Sequence, residues 1–206
     1  MNDMGLEELY SAERGRLSAL IEKNDGDYAS PVFGEGPYSP KLMLIGEAPG
    51  REEAEAGRPF VGKAGRQLNE LLNKASINRQ DVFVTNAVKF RPVRRREKST
   101  ANRTPAAKEL EAGLPLLKSE IALIKPKVIA TLGNSPLSSI AKLAQSDIGK
   151  IGSVHGKAID IIIEGERITL FPLYHPASGI YNRSLIETME RDIEALGAIM
   201  HNGAGV

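Results

Sequence analysis

Cysteine is missing altogether from the 206 residues. Without thiolates the chain has no ligands for an all-cysteine iron–sulfur cluster. Histidine is scarce, and His155, His175 and His201 share no metal-ligand spacing, so neither a metal nor any other cofactor is expected. Long apolar runs are lacking too. No stretch approaches the roughly 20 residues needed to cross a bilayer, which argues against a membrane protein. The start, Met1-Asn2-Asp3-Met4, has neither the basic residues nor the apolar core of a signal peptide, and a cytoplasmic location is expected. Charge of one sign is not in excess: the net charge is +1, so any nucleic-acid-binding face has to come from local clustering. No internal repeat and no second-domain linker is visible. Residues Gly46 to Gly50 do not form a Gly-x-x-x-x-Gly-Lys-Ser/Thr phosphate loop, and no dinucleotide fingerprint follows the first strand, which disfavours a nucleotide-binding α/β protein.

The composition that remains, 41% hydrophobic and 26% charged, is that of one soluble globular domain with a sizeable core. Leu6, Leu9, Tyr10, Leu17, Leu20 and Ile21 recur at helical spacing and predict an amino-terminal amphipathic helix. Asn24 to Pro40, rich in Gly, Pro, Ser and Asp, reads as a loop, so residues 1–32 form a helix and loop ahead of the main body. Strands are predicted over Leu42–Ile45, Val82–Val84 and Val128–Leu132, with a helix from about Ala64 to Ala75 burying Leu68, Leu71 and Leu72. Arg91 to Arg103 is polar, basic and without periodicity. Thr104-Pro105 then looks like an N-cap followed by proline at the first helical position, opening a helix to about Ile124. Gly133-Asn134-Ser135 turns the third strand into a short helix carrying Leu137 and Ile140. Ile151 to Leu173 reads as a hairpin feeding a last central strand, Leu185 to Met200 as a closing helix, and residues 201–206 as a frayed tail. Strands alternating with helices predict a single three-layer α/β/α domain around a mostly parallel, four-stranded sheet.

Three of the predicted strands run into polar loops. Leu42–Ile45 leads into Gly46-Glu47-Ala48-Pro49-Gly50 and then Arg58-Pro59-Phe60-Val61-Gly62; Val82–Val84 into Thr85-Asn86-Ala87-Val88-Lys89; Ile168–Leu173 into Tyr174-His175-Pro176-Ala177. Carboxyl ends of strands are where an α/β sheet presents chemistry. A carboxylate, an aromatic ring, an amide and an imidazole at such ends look like one assembled site. Each has a plainer use: Asn86 as a turn residue, Phe60 as core, His175 bonded to a backbone carbonyl, Glu47 accepting loop N–H groups. The basic cluster Arg91, Arg94, Arg95, Arg96, Lys98 and Arg103 is either a solvated loop or, placed directly after the Asn86 strand end, a phosphate-contacting one.

These words in this order resemble the uracil-DNA glycosylase superfamily, closest to its family four, from about Phe33 to about Leu196. The resemblance implies a DNA repair enzyme, monomeric, that hydrolyses the N-glycosidic bond of uracil or a related deaminated base flipped out of DNA. His175 would then donate to the uracil O2 as negative charge develops. Asn86 would read the base edge, since one planar amide carries both donors and acceptor, and Phe60 would stack on the base. Glu47 would position or polarise the attacking water, or stabilise the cationic sugar. Gly46, Ala48, Pro49 and Gly50 would let the loop approach sugar and phosphate closely. Ser135, in a segment that resembles the family's phosphate-pinching turn but is equally a helix cap, would donate to the DNA backbone. Ser178 to Arg183 would form the wedge loop, with Ile180 or Tyr181 filling the gap left by the base and Arg183 binding phosphate. Arg94, Arg95 and Arg96 would add phosphate contacts.

Family four normally holds a four-cysteine iron–sulfur cluster. Phe90 stands where one of its cysteines falls, another position lies near Gly113, and a pair upstream of Phe33 is missing, so apolar packing around Phe90 is expected in its place. One relative traps uracil covalently through a histidine in the loop after the Asn strand. Residues 91–103 contain no histidine, which disfavours that chemistry. A binding module without turnover is the remaining alternative, and it has no physical need for Glu47, Phe60, Asn86 and His175 together.

Overall fold

A computed structural model of the chain describes residues 4–23, 31–97 and 99–202. Helix α1 (Met4–Lys23) opens the chain and buries Leu6, Tyr10 and Leu17. The Leu42–Ile45 run becomes β1 (Leu42–Gly46), buried at every position. A continuous apolar strand covered on both faces is what a central parallel strand requires. Helices α2 (Arg51–Ala56) and α3 (Lys63–Lys74) follow, then β2 (Val82–Asn86), the short strands β3 (Val93–Arg96) and β4 (Ser99–Asn102), and α4 (Ala107–Ile124). The second half runs β5 (Val128–Leu132), α5 (Asn134–Leu143), α6 (Ile151–Val154), β6 (Ile159–Ile163), β7 (Glu166–Leu173), α7 (Ala177–Tyr181) and α8 (Ile186–Asn202).

The main sheet has the order β2-β1-β5-β7-β6; the first four strands are parallel and β6 is antiparallel to β7. Alternation along the strands sorts the core into two layers. Met43, Ile45, Phe83, Ile129 and Leu170 pack with α1, α4 and α5 on one face. Leu42, Leu44, Val84, Ala130 and Phe171 pack with α3 and α8 on the other. The expected three layers around a mostly parallel sheet are present. Among the described residues no helix is long and apolar enough to cross a membrane.

Four expectations are corrected. The sheet has five strands rather than four, because the hairpin arm β6 joins it as an edge strand. Its alternating burial, with Ile161 and Ile163 inside and Ile162 62% exposed, is the one-sided pattern of an edge that faces water. The basic segment is not irregular: Val93–Arg96 and Ser99–Asn102 pair as an antiparallel ribbon. Helix α4 starts at Ala107, not at Pro105. The Glu109 carboxylate reaches back to the Ala106 N–H at 2.7 Å and binds Arg103 at 2.6 and 2.7 Å, so an acidic side chain in the first turn sets the helix start. The last helix runs through His201 and Asn202, with His201 Nε2 3.3 Å from the Ala75 carbonyl; residues 203–206 of the expected tail lie outside the described residues.

Candidate functional site

After β1 the chain crosses to β2 on one side and later to β5 on the other. The direction of winding therefore reverses at β1, and a crevice opens at such a switch point beyond the carboxyl ends of the strands. Gly46 stands level with Asn86, and Leu132 with Leu173, so the loops after β2, β1, β5 and β7 share one edge of the sheet. Between them lies an open cleft of about 940 Å³. Glu47, Ala48, Gly50, Phe60, Asn86 and His175 all line it.

Gly46 is the point of closest approach. A Cβ there would stand 2.4 Å from Asn86 Oδ1 and 2.4 Å from Phe60 Cζ, distances no Cβ tolerates. The ring and the amide thus meet over a backbone that only glycine provides. Phe60 is held from behind as well. Its φ is +56°, unusual for a bulky residue, and its carbonyl lies 1.8 Å from where a Cβ on Gly65 would be. Phe60 is only 9% exposed and packs with Leu68, Leu72 and Val84 in the core, so the ring is part of the core and of the cleft wall at once. Asn86 is 3% exposed. The Ala87 and Val88 N–H groups donate to the carbonyls of Gly46 and Glu47 at 2.9 and 3.1 Å, which locks the turn. Among the described residues no group bonds the Asn86 carboxamide, which is left to the cleft.

His175 follows β7 and packs beside Gly133, whose φ of +95° lets β5 turn under it; a Cβ on Gly133 would lie 3.4 Å from the His175 Cβ. The Ala177 N–H donates to His175 Nδ1 at 3.2 Å. A neutral imidazole has one acceptor and one donor nitrogen, so this bond assigns the proton to Nε2. Burial pulls the His175 pKa below the ordinary 6.5, opposed by the Glu53 carboxylate. The site therefore holds a neutral ring that donates through Nε2.

Glu47 Oε2 accepts the Ser135 hydroxyl at 2.6 Å, across the gap between the loops after β1 and β5. That hydroxyl has one proton, and it is committed to the carboxylate rather than to an outside phosphate. Asn134 is likewise engaged, its Oδ1 accepting the Ile151 N–H at 3.0 Å. Sequence reasoning missed Glu53. Its two carboxylate oxygens accept the N–H groups of Gly50 at 3.1 Å and Gly62 at 2.7 Å, tying the two glycine-rich loops together inside the cleft. The signal was present only in part: a Glu three residues into a helix announces a reach back to its start, but the bond to Gly62 depends on the fold.

The remaining expected residues are not gathered at the cleft. Arg94 is exposed on the ribbon and Arg183 is exposed beyond α7; neither lines the cleft. The side chains of Arg95, Arg96, Ile180 and Tyr181 lie outside the described residues. The base of the ribbon does form the cleft wall, through Pro92, Asn102 and Arg103. Arg91 Nε holds Asn102 Oδ1 at 2.6 Å, and the Arg103 N–H bonds the Pro92 carbonyl at 3.1 Å, so the ribbon stands on a braced foot.

An iron–sulfur cluster does not fit. No cysteine exists to ligate it, and the two positions that could be compared are filled. Phe90 is 7% exposed in a core with Phe33, Leu117 and Ile121, and Gly113 lies so close that a Cβ would be 2.2 Å from the Ala87 carbonyl oxygen.

The sequence model of the "Uracil DNA glycosylase superfamily" matches residues 33–196. The chain is 41% identical over 162 residues to a protein named type-4 uracil-DNA glycosylase from Saccharolobus solfataricus, covering 78% of this chain and 72% of that one. A protein of the same name from Pyrobaculum aerophilum is 40% identical, with 79% of each chain covered. Another from Thermotoga maritima is 39% identical over 153 residues, 74% of this chain and 73% of its own.

Proposed function

Because the chain belongs to the uracil-DNA glycosylase superfamily, we propose that it hydrolyses the N-glycosidic bond of uracil, or of a related deaminated base, in DNA. The observation that carries this reading is the convergence of Glu47, Phe60, Asn86 and His175 on one cleft at the sheet's switch point. An extruded base lies against the Phe60 ring, and its edge meets the free Asn86 carboxamide. Cytosine presents a donor where uracil presents an acceptor, so a fixed amide leaves buried groups unpaired against it. As the glycosidic bond breaks, negative charge gathers on the base and positive charge on the sugar. The neutral Nε2–H of His175 donates to the departing base, a contact that strengthens only in the transition state. The Glu47 carboxylate, oriented by Ser135, faces the sugar and either stabilises its cation or holds the attacking water. The chain works as a monomer in the cytoplasm, with residues 1–206 as one domain.

The test is incubation with labelled single- and double-stranded DNA holding one uracil, followed by alkali. Strand scission at the uracil supports the reading. Reversible gel retardation without scission would leave a binding module, and a denaturant-resistant shifted band would indicate covalent trapping; either sinks hydrolysis.

The ribbon supplies a second expectation. Its strand β3 carries Arg94, Arg95 and Arg96, and each phosphate contact steepens the fall of affinity with salt by about 0.7–0.9 in the log–log slope. Replacing all three by alanine is expected to flatten that slope by about 2 to 3. An unchanged slope in a salt titration of DNA binding removes the ribbon from the interface.

A further inference from the structure

Behind Asn86 lies a group of ionisable side chains that the reaction above does not use. Lys89 is 1% exposed and Glu120 is fully buried. An ammonium has three donors, and all three are engaged: with Glu120 Oε2 at 2.6 Å, Thr85 Oγ1 at 2.5 Å and the backbone carbonyl of Asn86 at 2.6 Å. Glu120 is held in turn by the Tyr10 hydroxyl at 2.7 Å and by the Thr85 hydroxyl. These partners come from α1, β2 and α4, so three elements meet around one buried ion pair whose ammonium also holds the Asn86 carbonyl.

We propose that Lys89 is a positioning residue: anchored by Glu120 and Thr85, it grips the Asn86 carbonyl and fixes the direction in which the carboxamide enters the cleft. The proposal rests on the glycosylase reading for its consequence in catalysis, but not for its geometry. Stability alone is a poor reason for the pair, because replacing both members of a buried ion pair with neutral residues of similar size is often neutral or stabilising. What apolar packing does not supply is a directed bond to one carbonyl. With Ala87 and Val88 tied to the β1 loop, the Lys89 bond closes the last freedom of the Asn86 peptide and leaves its side chain as the part that borders the cleft. Burial draws the Lys89 pKa down and the Glu120 carboxylate opposes it; wherever the proton sits, the pair carries no net charge.

The experiment uses the full chain carrying Lys89→Met together with Glu120→Gln, which removes both charges and keeps an oxygen for Tyr10. Three results are expected. The double variant melts close to the parent. Its kcat on uracil-containing DNA falls about 100-fold, the scale of a small misplacement of a reacting group, while KM stays within about twofold because contacts to the DNA strand are untouched. The side-chain NH₂ resonances of Asn86 in ¹⁵N spectra, sharp and distinct in the parent, broaden or multiply. Because the chain lacks cysteine, Lys89→Cys can be alkylated with 2-bromoethylamine in denaturant and refolded; this lysine isostere is expected to restore both kcat and the parental Asn86 resonances. Should the double variant not fold, Thr85→Val removes one anchor, keeps the ion pair, and is expected to lower kcat about tenfold. A folded double or Thr85 variant with parental kcat and unaltered Asn86 resonances overturns the proposal. If the parent itself releases no uracil, the glycosylase reading has failed, and the Asn86 resonances alone decide whether the clamp exists.

Discussion

His175→Ala is expected to lower kcat on uracil-containing DNA by about 10²–10³, with KM nearly unchanged and the fold intact. Loss of one preorganised donor to a developing anion typically costs about 2.7–4 kcal/mol. The effect falls on kcat because the bond strengthens only as charge moves onto the base. The fold survives because the imidazole's hydrogen bond is to the Ala177 N–H beside the cleft, where water replaces it. The same geometry fixes a pH dependence. A histidine whose folded pKa is depressed binds its proton more weakly than the unfolded chain does. Its neutral form is therefore fully present above the ordinary 6.5, and both stability and activity are lost as pH falls below that value. A single-turnover profile should be level down to 6.5 with its acid limb beneath, and ¹⁵N spectra at pH 7 should show a neutral ring protonated at Nε2. A charged ring at pH 7, or parental kcat in His175→Ala, removes the donor assignment.

How much of this was legible in the sequence depends on the range of the interaction involved. The strands β1, β2 and β5 and the helix α3 were readable because their burial follows a local period. The strand-end residues Glu47, Phe60, Asn86 and His175 were readable because an apolar run ending in Gly, Pro and polar residues marks the chemical edge of an α/β sheet. The edge strand β6 was read as part of a hairpin but not as a member of the sheet, since joining β7 is a matter of pairing, which local pattern does not encode. The ribbon at Val93–Asn102 has no apolar alternation, and its strands are held by backbone pairing and by the Arg91–Asn102 and Arg103–Glu109 contacts. Lys89 was the least legible. It sits beside a run of arginines and reads as one more solvated cation, yet it is enclosed because α4 brings Glu120 to it from 31 positions away. Charge in a sequence says nothing of burial until its partner is found.

Gly46→Ala is expected to be the most damaging single methyl group in the chain, lowering kcat/KM by at least about 10³, since it displaces two contacting groups of which each misplacement alone costs about 10². Backbone strain is not the cause, as Gly46 has no positive φ; Gly133, at +95°, does. Space is the cause. The added carbon overlaps both Asn86 Oδ1 and the Phe60 ring, and neither neighbour can retreat without leaving the position it holds at the cleft. The Asn86 carbonyl is held by Lys89 at 2.6 Å, and the Phe60 backbone is pressed against Gly65 with its ring packed on Leu68 and Leu72. An alanine at an unstrained glycine usually stabilises by about 0.4–1 kcal/mol through the unfolded chain; here the melting temperature should fall instead, because overpacking outweighs that gain. Phe60→Leu added to Gly46→Ala relieves one overlap, so the melting temperature should partly recover while uracil release does not, the stacking ring being gone. Recovery of both would mean that Phe60 serves the core alone. Parental kcat/KM in Gly46→Ala would mean that the base never approaches the ring and the amide together.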